Sequence, residues 1–588
     1  MRHRSSPPES PAADLALLLL LAAALIDGVM WASANLAAFL AGQAVPLRKP
    51  IGGLLACANP ENPSRAWGQP VGSASLYWAT TLLVLILLGA LALIGHRVWD
   101  DSRQRLDDPH RSAGLATRAQ VRDAAGPAAL LSRSATLRPG LAKPTPADIG
   151  FRLGYSRGIE CWASVEDSVL VVGPPRSGKG RHIVIPTILD APGAVLTTST
   201  RPDNLSVTYV ERSQHGPALV FDPQRLAHAP GVVRHLNWSP VRGCEEPYTA
   251  ILRAEAMVAK AESSGLESGT FWRNQAVAAV RCLLHAAAID GRSAADLYRW
   301  SHAAPRAKEA VAILARSGTG AAGWDSALEA VISADPRMRD SAWAMVASTF
   351  APLADPKVLE AVTPTNRDAF DVSSFLDECG TLYLLGTSSG ASATANLIVA
   401  LAEDVTETAR RKASVSPGSR LDPPLSLILD EAANYPLPSL PALVSEGGGS
   451  GISTFAILQS LAQARDRWGR EAAAAIWDSS IVKVVLGGSA NADDLQDLSR
   501  LIGEHDVPDR SETVSPHASG KSVSTTSRRR AILEPSAIRR IDSGHALLLL
   551  RSAPPIMLTL DPWSDRPEAR QLASARCEVE QAIRESNR

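Results

Sequence analysis

Residues 168–189 read SVLVVGPPRSGKGRHIVIPTIL. An apolar run over 168–172 stops at Gly173-Pro174-Pro175-Arg176-Ser177-Gly178-Lys179, and Gly180 and Arg181 open the next segment. A strand, a glycine-punctuated loop with a lysine, and a helix in that order form the Walker A arrangement. Gly173 and Gly178 permit the backbone angles that turn successive N–H groups toward an anion. The helix start behind them adds its dipole. Lys179 is placed to reach the β- and γ-phosphates of ATP, so 173–181 is the expected nucleotide loop. The residue after Lys179 is Gly180, where the pattern carries Ser or Thr. The hydroxyl that would reach Mg²⁺ is missing. Water, or a carboxylate from elsewhere, must take that place.

A second apolar run, LSLIL at 425–429, ends in Asp430-Glu431. Downstream of a phosphate loop, that pair is the Walker B arrangement. Asp430 is expected to hold Mg²⁺, directly or through water. Glu431 is expected to orient and deprotonate the attacking water, since the chemistry needs one charge for the metal and one base. The next run, 454–458, ends at Gln459-Ser460. The Gln459 amide is expected to contact the γ-phosphate or the water and report hydrolysis, and Ser460 has the chemistry of a helix cap. The EGGGSG run at 446–451 reads as a tight turn.

Further short apolar runs lie at 194–198, 218–221, 381–385, 481–486, 546–550 and 557–560. Near-continuous apolar strands alternating with helices predict a parallel sheet covered on both faces. The rhythm breaks over 248–374, where Trp272, Ala276, Ala279, Val280, Leu283, Leu284 and Ala287 form a helical stripe. The sequence therefore predicts a sheet domain in two parts, 151–247 and 375–562, around an all-helical insertion. It also predicts a juxtamembrane linker over 99–150 with a short helix near 117–124, a mobile loop over 508–527 and a C-terminal tail over 563–588.

The N-terminus has a different character. Residues 76–98 read LYWATTLLVLILLGALALIGHRV. The uncharged stretch 76–95, about 20 residues at about 1.5 Å each, matches the roughly 30 Å hydrocarbon core of a bilayer. Tyr77 and Trp78 stand where an interfacial aromatic belt would. A second apolar run, 15–42, is interrupted by Asp27, and its first part has the length of a signal-peptide core. Arg2 and Arg4 precede it, and His96, Arg97, Arg103 and Arg105 follow the other run. Two transmembrane helices with both outer ends in the cytoplasm are expected, forming a membrane anchor over 1–98, with 43–75 as a short outside loop bearing Arg48, Lys49 and Arg65.

Composition sets outer limits. With 45% apolar and 20% charged residues, the 588-residue chain is not disordered. Its 59 basic and 60 acidic residues exclude a globally basic nucleic-acid binder but not a basic surface. Six scattered cysteines, with no metal-ligand spacing, argue against a disulfide framework and for a reducing compartment.

Taken in order, GPPRSGKG, HIVIPTIL, VFDPQ at 220–224, ILDEAANYPLPSLPALVSEGGGSGI at 428–452 and ILQSLAQARDRWG at 457–469 resemble the type IV secretion coupling proteins, the TraG/TraD-like conjugative ATPases. The resemblance spans about 10–560. It implies an α/β fold: a RecA-like P-loop NTPase with a parallel sheet, an inserted all-helical domain and two N-terminal transmembrane helices. It implies a homo-hexameric motor in the inner (plasma) membrane, multi-pass, with its soluble domain cytoplasmic. Such a motor recruits relaxase-bound single-stranded DNA or secreted protein, and feeds it to type IV secretion channel components. By motif match, Lys179, Asp430, Glu431 and Gln459 correspond to the family's Walker lysine, acidic pair and following glutamine. The family's Asp-x-Lys-Gly-Glu-like segment corresponds to Ser199-Thr200-Arg201-Pro202-Asp203, where Ser199 replaces the first acid. Arg528, Arg529 and Arg530 form a basic run, a candidate for charge stabilisation in a neighbouring subunit. Two alternatives stay open: an FtsK/HerA-like pump for double-stranded DNA, and a nucleotide-binding docking platform without turnover.

Overall fold

A computed structural model describes residues 11–43, 51–106, 113–258, 267–365, 370–387, 394–514 and 521–586. They fall into two compact units, Met1–Arg111 and Ser112–Arg588. Arg2, Arg4, Arg48 and Lys49 lie outside the described residues.

The first unit is built on two long helices, Pro11–Leu40 and Ala74–Leu106. Within them Ala22–Leu40 and Ala74–Gly95, with mean hydropathy 1.5 and 2.3, are long and apolar enough to cross a membrane. The expected outside loop carries two short helices, Gly52–Ala58 and Pro63–Trp67. The carboxylate of Asp27 accepts a hydrogen bond from the Gly53 N–H at 2.7 Å, so the one acid in the first apolar run is partnered by a helix start. Tyr77 is not an interfacial residue as expected. It is fully buried in a small cluster with Ala34, Ala37 and Trp67, and its hydroxyl accepts from Trp67 Nε1 at 3.3 Å.

The second unit has thirteen strands among the described residues, eleven in one sheet and two, Glu504–Val514 and Lys521–Ala531, in a separate pair. In chain order, β1 (Gly150–Ser156), β2 (Ile159–Ser164), β3 (Val169–Val172), β4 (Val195–Ser199), β5 (Ala218–Phe221), β6 (Thr381–Leu385), β7 (Leu425–Leu429), β8 (Ile452–Leu458) and β9 (Val482–Leu486) precede β10 (Glu504–Val514), β11 (Lys521–Ala531), β12 (His545–Leu550) and β13 (Ile556–Thr559). The sheet order is β2-β1-β13-β12-β9-β3-β8-β7-β4-β6-β5. From β9 to β5 every pairing is parallel, and β12, β13, β1 and β2 extend the sheet antiparallel. The parallel expectation therefore holds for the seven-strand centre, where β4, β6 and β7 are buried at every position. It fails at one end for a local reason. β1 and β2 are joined by Arg157-Gly158, both at positive φ (50° and 74°), the two-residue turn that matches strand twist in a hairpin.

Both faces are covered. Helices from Pro247–Val258 to Val372–Asp377 follow β5, with no strand among the described residues before β6. They share one core with a sheet face: Leu283, Trp300 and Phe350 pack in the same cluster as Leu196 and Leu427. The other face packs Val121, Leu130 and Ile149 against Ile428 and Phe455.

Three expectations need correction. The helix Ala74–Leu106 runs past residue 98, and the described part of the supposed linker, 113–150, packs as folded structure: the expected short helix forms as Arg118–Ala125, capped by Thr117, and Val121, Ala125, Leu130 and Leu137 are buried. Ten of its seventeen apolar residues over 113–150 are alanines, so no strong run marks the segment in sequence. Within the supposed mobile loop, 508–514 and 521–527 instead belong to the paired strands β10 and β11, in register from Glu504–Ala531 to Val514–Lys521. Its Ser- and Thr-rich strands lack the apolar alternation that marks a strand in sequence. The C-terminal tail is a helix, Ala569–Ser586, whose Leu572, Ala575, Val579 and Ile583 are buried.

Candidate nucleotide site

The loop after β3 is shaped by two residues in the left-handed region, Arg176 (φ 64°) and Gly178 (φ 88°). A Cβ on Gly178 would lie 2.6 Å from His182 Nδ1, so that position is closed to other residues twice over. Behind Lys179 the chain makes a π-turn, Gly180–Val184, before the helix Ile185–Asp190. Pro186 has no N–H to give the preceding turn, which fits the wider winding there.

Lys179 Nζ donates to the carbonyls of Gly173 (2.6 Å) and Pro174 (2.7 Å). Burial pulls its pKa down, and the charges of Asp430 and Glu431 pull it back up. The Ser177 hydroxyl is buried and has no hydrogen-bond partner. A buried hydroxyl without a partner among the described residues, in a glycine-bent loop beside a lysine that donates to carbonyls, fits a phosphate chain.

β7 delivers Asp430 to the same sheet edge, one strand beyond β8. Burial pushes the Asp430 carboxyl up to about 6; the Glu431 charge adds to this, while the hydrogen bond from Asn204 opposes it. Glu431 sits at φ 53°, a strained position for a residue with a side chain. Its Oε2 accepts from the Thr200 hydroxyl (2.6 Å) and the Asn434 amide (3.0 Å). Gln459 follows β8, between the lysine and acid strands, and its Oε1 accepts from Gln463 Nε2 at 3.4 Å. Ser460 caps the next helix by accepting from the Gln463 N–H.

These groups meet in one cleft of about 470 Å³, which Lys179, Asp430, Glu431 and Gln459 all line. Of the predicted loop residues, Pro175, Arg176, Gly178, Gly180 and Arg181 line it too. Gly173 and Pro174 contribute their carbonyls to Lys179, and Ser177 lies beneath the loop surface. Asn204, Thr200, Trp563 and Arg576 also line the cleft and were not singled out from sequence. The signal for Asn204 was its place just after β4, since every parallel strand opens at the same edge. Trp563 and Arg576 carried no such signal, because they arrive from the far end of the chain. Arg528, Arg529 and Arg530 are exposed on β11, outside the cleft. A larger cavity of about 630 Å³ beside Trp477 and Asp494 contains neither Lys179 nor the acidic pair.

Residues 424–543, from the start of β7 past β11, match the family model described as the TraM recognition site of TraD and TraG. Over that stretch the chain is similar to TraD and TraG. Its fold is also that of a solved member of the conjugative coupling proteins. The trigonal, sulphate-bound form of the bacterial conjugative coupling protein TrwB aligns with a TM-score of 0.53 at 18% identity, over 74% of this chain and 92% of that chain. The unbound monoclinic form gives 0.51 at 18%, over 70% and 88%. TrwB in complex with the non-hydrolysable ATP analogue ADPNP gives 0.50 at 19%, over 70% and 89%. No curated protein matches the chain.

Proposed function

We propose that this chain is a membrane-anchored ATP hydrolase of the TraG/TraD-like kind. It recruits relaxase-bound DNA or protein cargo to a type IV secretion channel and drives translocation as a homo-hexamer. The observation that carries the reading is the single cleft holding Lys179, Asp430 and Glu431 at the ends of β3 and β7.

In this reading the N–H groups of Arg176 and of 178–180, with the Ser177 hydroxyl, hold the phosphates. Lys179 leaves its two carbonyls and turns to the β- and γ-oxygens. Asp430 would hold Mg²⁺, which when bound would supply positive charge to offset that of the phosphates. Glu431, with Oε2 fixed by Thr200 and Asn434, keeps Oε1 free to take a proton from the attacking water. Gln459, steadied by Gln463, is placed to orient that water.

Membrane anchoring is supported by the helix Ala74–Leu106. Leu82, Ile86, Leu91 and Leu93 are 59–69% exposed along it, an apolar surface that water penalises and lipid does not.

The test is phosphate release by the full chain in detergent, with and without single-stranded DNA. Turnover that single-stranded DNA stimulates, and that Lys179→Ala abolishes, is expected. Undiminished turnover in Lys179→Ala would overturn the site assignment.

A further inference from the structure

We propose that Asn204 takes the magnesium-side role of the hydroxyl that Gly180 lacks. This rests on the nucleotide-site reading above.

In a P-loop with Ser or Thr after the lysine, that hydroxyl and the Walker B acid hold the metal together. Here the pair is rebuilt from another element. Asn204 is the second residue of the helix Asp203–Arg212, which follows β4, the strand beside β7, after a three-residue link. Its side chain lines the cleft although the residue is only 3% exposed. Its Nδ2 donates to Asp430 Oδ2 at 3.0 Å. A carboxylate only accepts when ionised, so this bond turns the amide oxygen away from Asp430. Oδ1 accepts no hydrogen bond among the described residues.

That oxygen points at the gap. A Cβ built on Gly180 would lie 3.9 Å from Asn204 Oδ1, with no other atom that close apart from its own neighbours. A serine hydroxyl, one bond further out and turned toward Asn204, would fall into the space that the amide oxygen borders. An amide oxygen is a hard, neutral ligand, as a hydroxyl is, and suits Mg²⁺. The backbone at Gly180 is outside the left-handed range, so its lack of a side chain is not forced by strain. The glycine and the asparagine read as one exchange of ligand between two loops.

The experiment uses the full chain in detergent with adenylyl imidodiphosphate. Mn²⁺ stands in for Mg²⁺, and its binding is followed by electron paramagnetic resonance. Nucleotide affinity is measured separately in EDTA. Asn204→Ala is expected to weaken Mn²⁺ binding about 10–100-fold with nucleotide affinity in EDTA unchanged. Adding Gly180→Ser to Asn204→Ala should recover most of it. Unchanged Mn²⁺ affinity in Asn204→Ala overturns the proposal. Gly180→Ser alone provides a check that leaves Asn204 in place. Little change is expected, because the amide already serves; tightening of about tenfold or more would show a place that no side chain filled and would sink the idea. Failure of the parent chain to bind the nucleotide in EDTA would instead overturn the nucleotide site itself.

Discussion

Glu431→Gln separates chemistry from binding more cleanly than any other single change in this cleft. The glutamine has the same length and shape. Its amide oxygen can take the Oε2 position and still accept from the Thr200 hydroxyl at 2.6 Å and the Asn434 amide at 3.0 Å. Neither donor is then left unsatisfied, and the left-handed backbone at this residue is no worse for one side chain than the other. What is lost is the Oε1 lone pair: an NH₂ group stands there and cannot take a proton from water. Removing a positioned general base costs about 10²–10⁴ in rate, or about 2.7–5.5 kcal/mol at 1.36 kcal/mol per factor of ten. Binding should survive, because Lys179, Ser177 and the loop N–H groups are untouched and one like charge beside Asp430 is gone. The assay is phosphate release at saturating Mg·ATP, with affinity read from a fluorescent ATP analogue and folding from a thermal melt. A variant that turns over within about tenfold of the parent would refute Glu431 as the base. A variant that no longer binds the analogue would refute the division of labour between the two strand ends.

Two other outcomes test the scaffold. Arg212 is 1% exposed and donates to the Thr381 hydroxyl (2.8 Å) and to the carbonyls of Ala191 (2.9 Å) and Gly193 (2.8 Å), tying the loop before β4 to β6. Arg212→Met strips three acceptors of their donor and should cost about 3 kcal/mol or more, read as a lower urea midpoint. His235 contributes an acid sensitivity. Burial first, then the charges of His228 and Arg225, pull it from 6.5 to about 4. The unfolded chain therefore takes up a proton that the folded chain refuses. The stability tied to this group is full above pH 6.5 and is lost as pH falls toward 4. The ceiling is about 3 kcal/mol, and roughly half of that after solvent screening. His235→Asn should lose less stability than the parent between pH 7 and pH 5 in urea titrations. An equal loss in both would remove His235 from the account.

Some of this protein was written locally. The strand–loop–helix around Lys179, the apolar run into Asp430-Glu431 and the helical stripe of 272–287 depend on residues a few positions apart. Backbone sterics, periodicity and short-range hydrogen bonding act over that distance, so sequence alone locates them. The ends of the sheet were not legible in that way. β1 and β2 carry few apolar residues and gain their place by pairing beside β13. The β10–β11 strands are mostly polar, with Val507, Val514, Val523 and Ala531 too few to show an alternation. The segment 113–150 is no more apolar than the chain as a whole, and carries no run that announces which residues, such as Val121 and Leu130, are buried once a sheet face is there to receive them.

The site divides along the same line. Sequence located the glycine–lysine loop and the acidic pair, because each is one continuous segment whose pattern does not depend on what lies opposite. Which residue faces Gly180, what clamps Glu431, and which part of the C-terminus lines the cleft were decided only by the tertiary structure. Strand order put β4 beside β7 and so brought Asn204 and Thr200 to the acids. Packing of Leu572 and Val579 fixed the helix Ala569–Ser586 and brought Arg576 to the cleft from the far end of the chain. Contacts between residues hundreds of positions apart are set by which apolar faces bury together, and no local pattern records that choice.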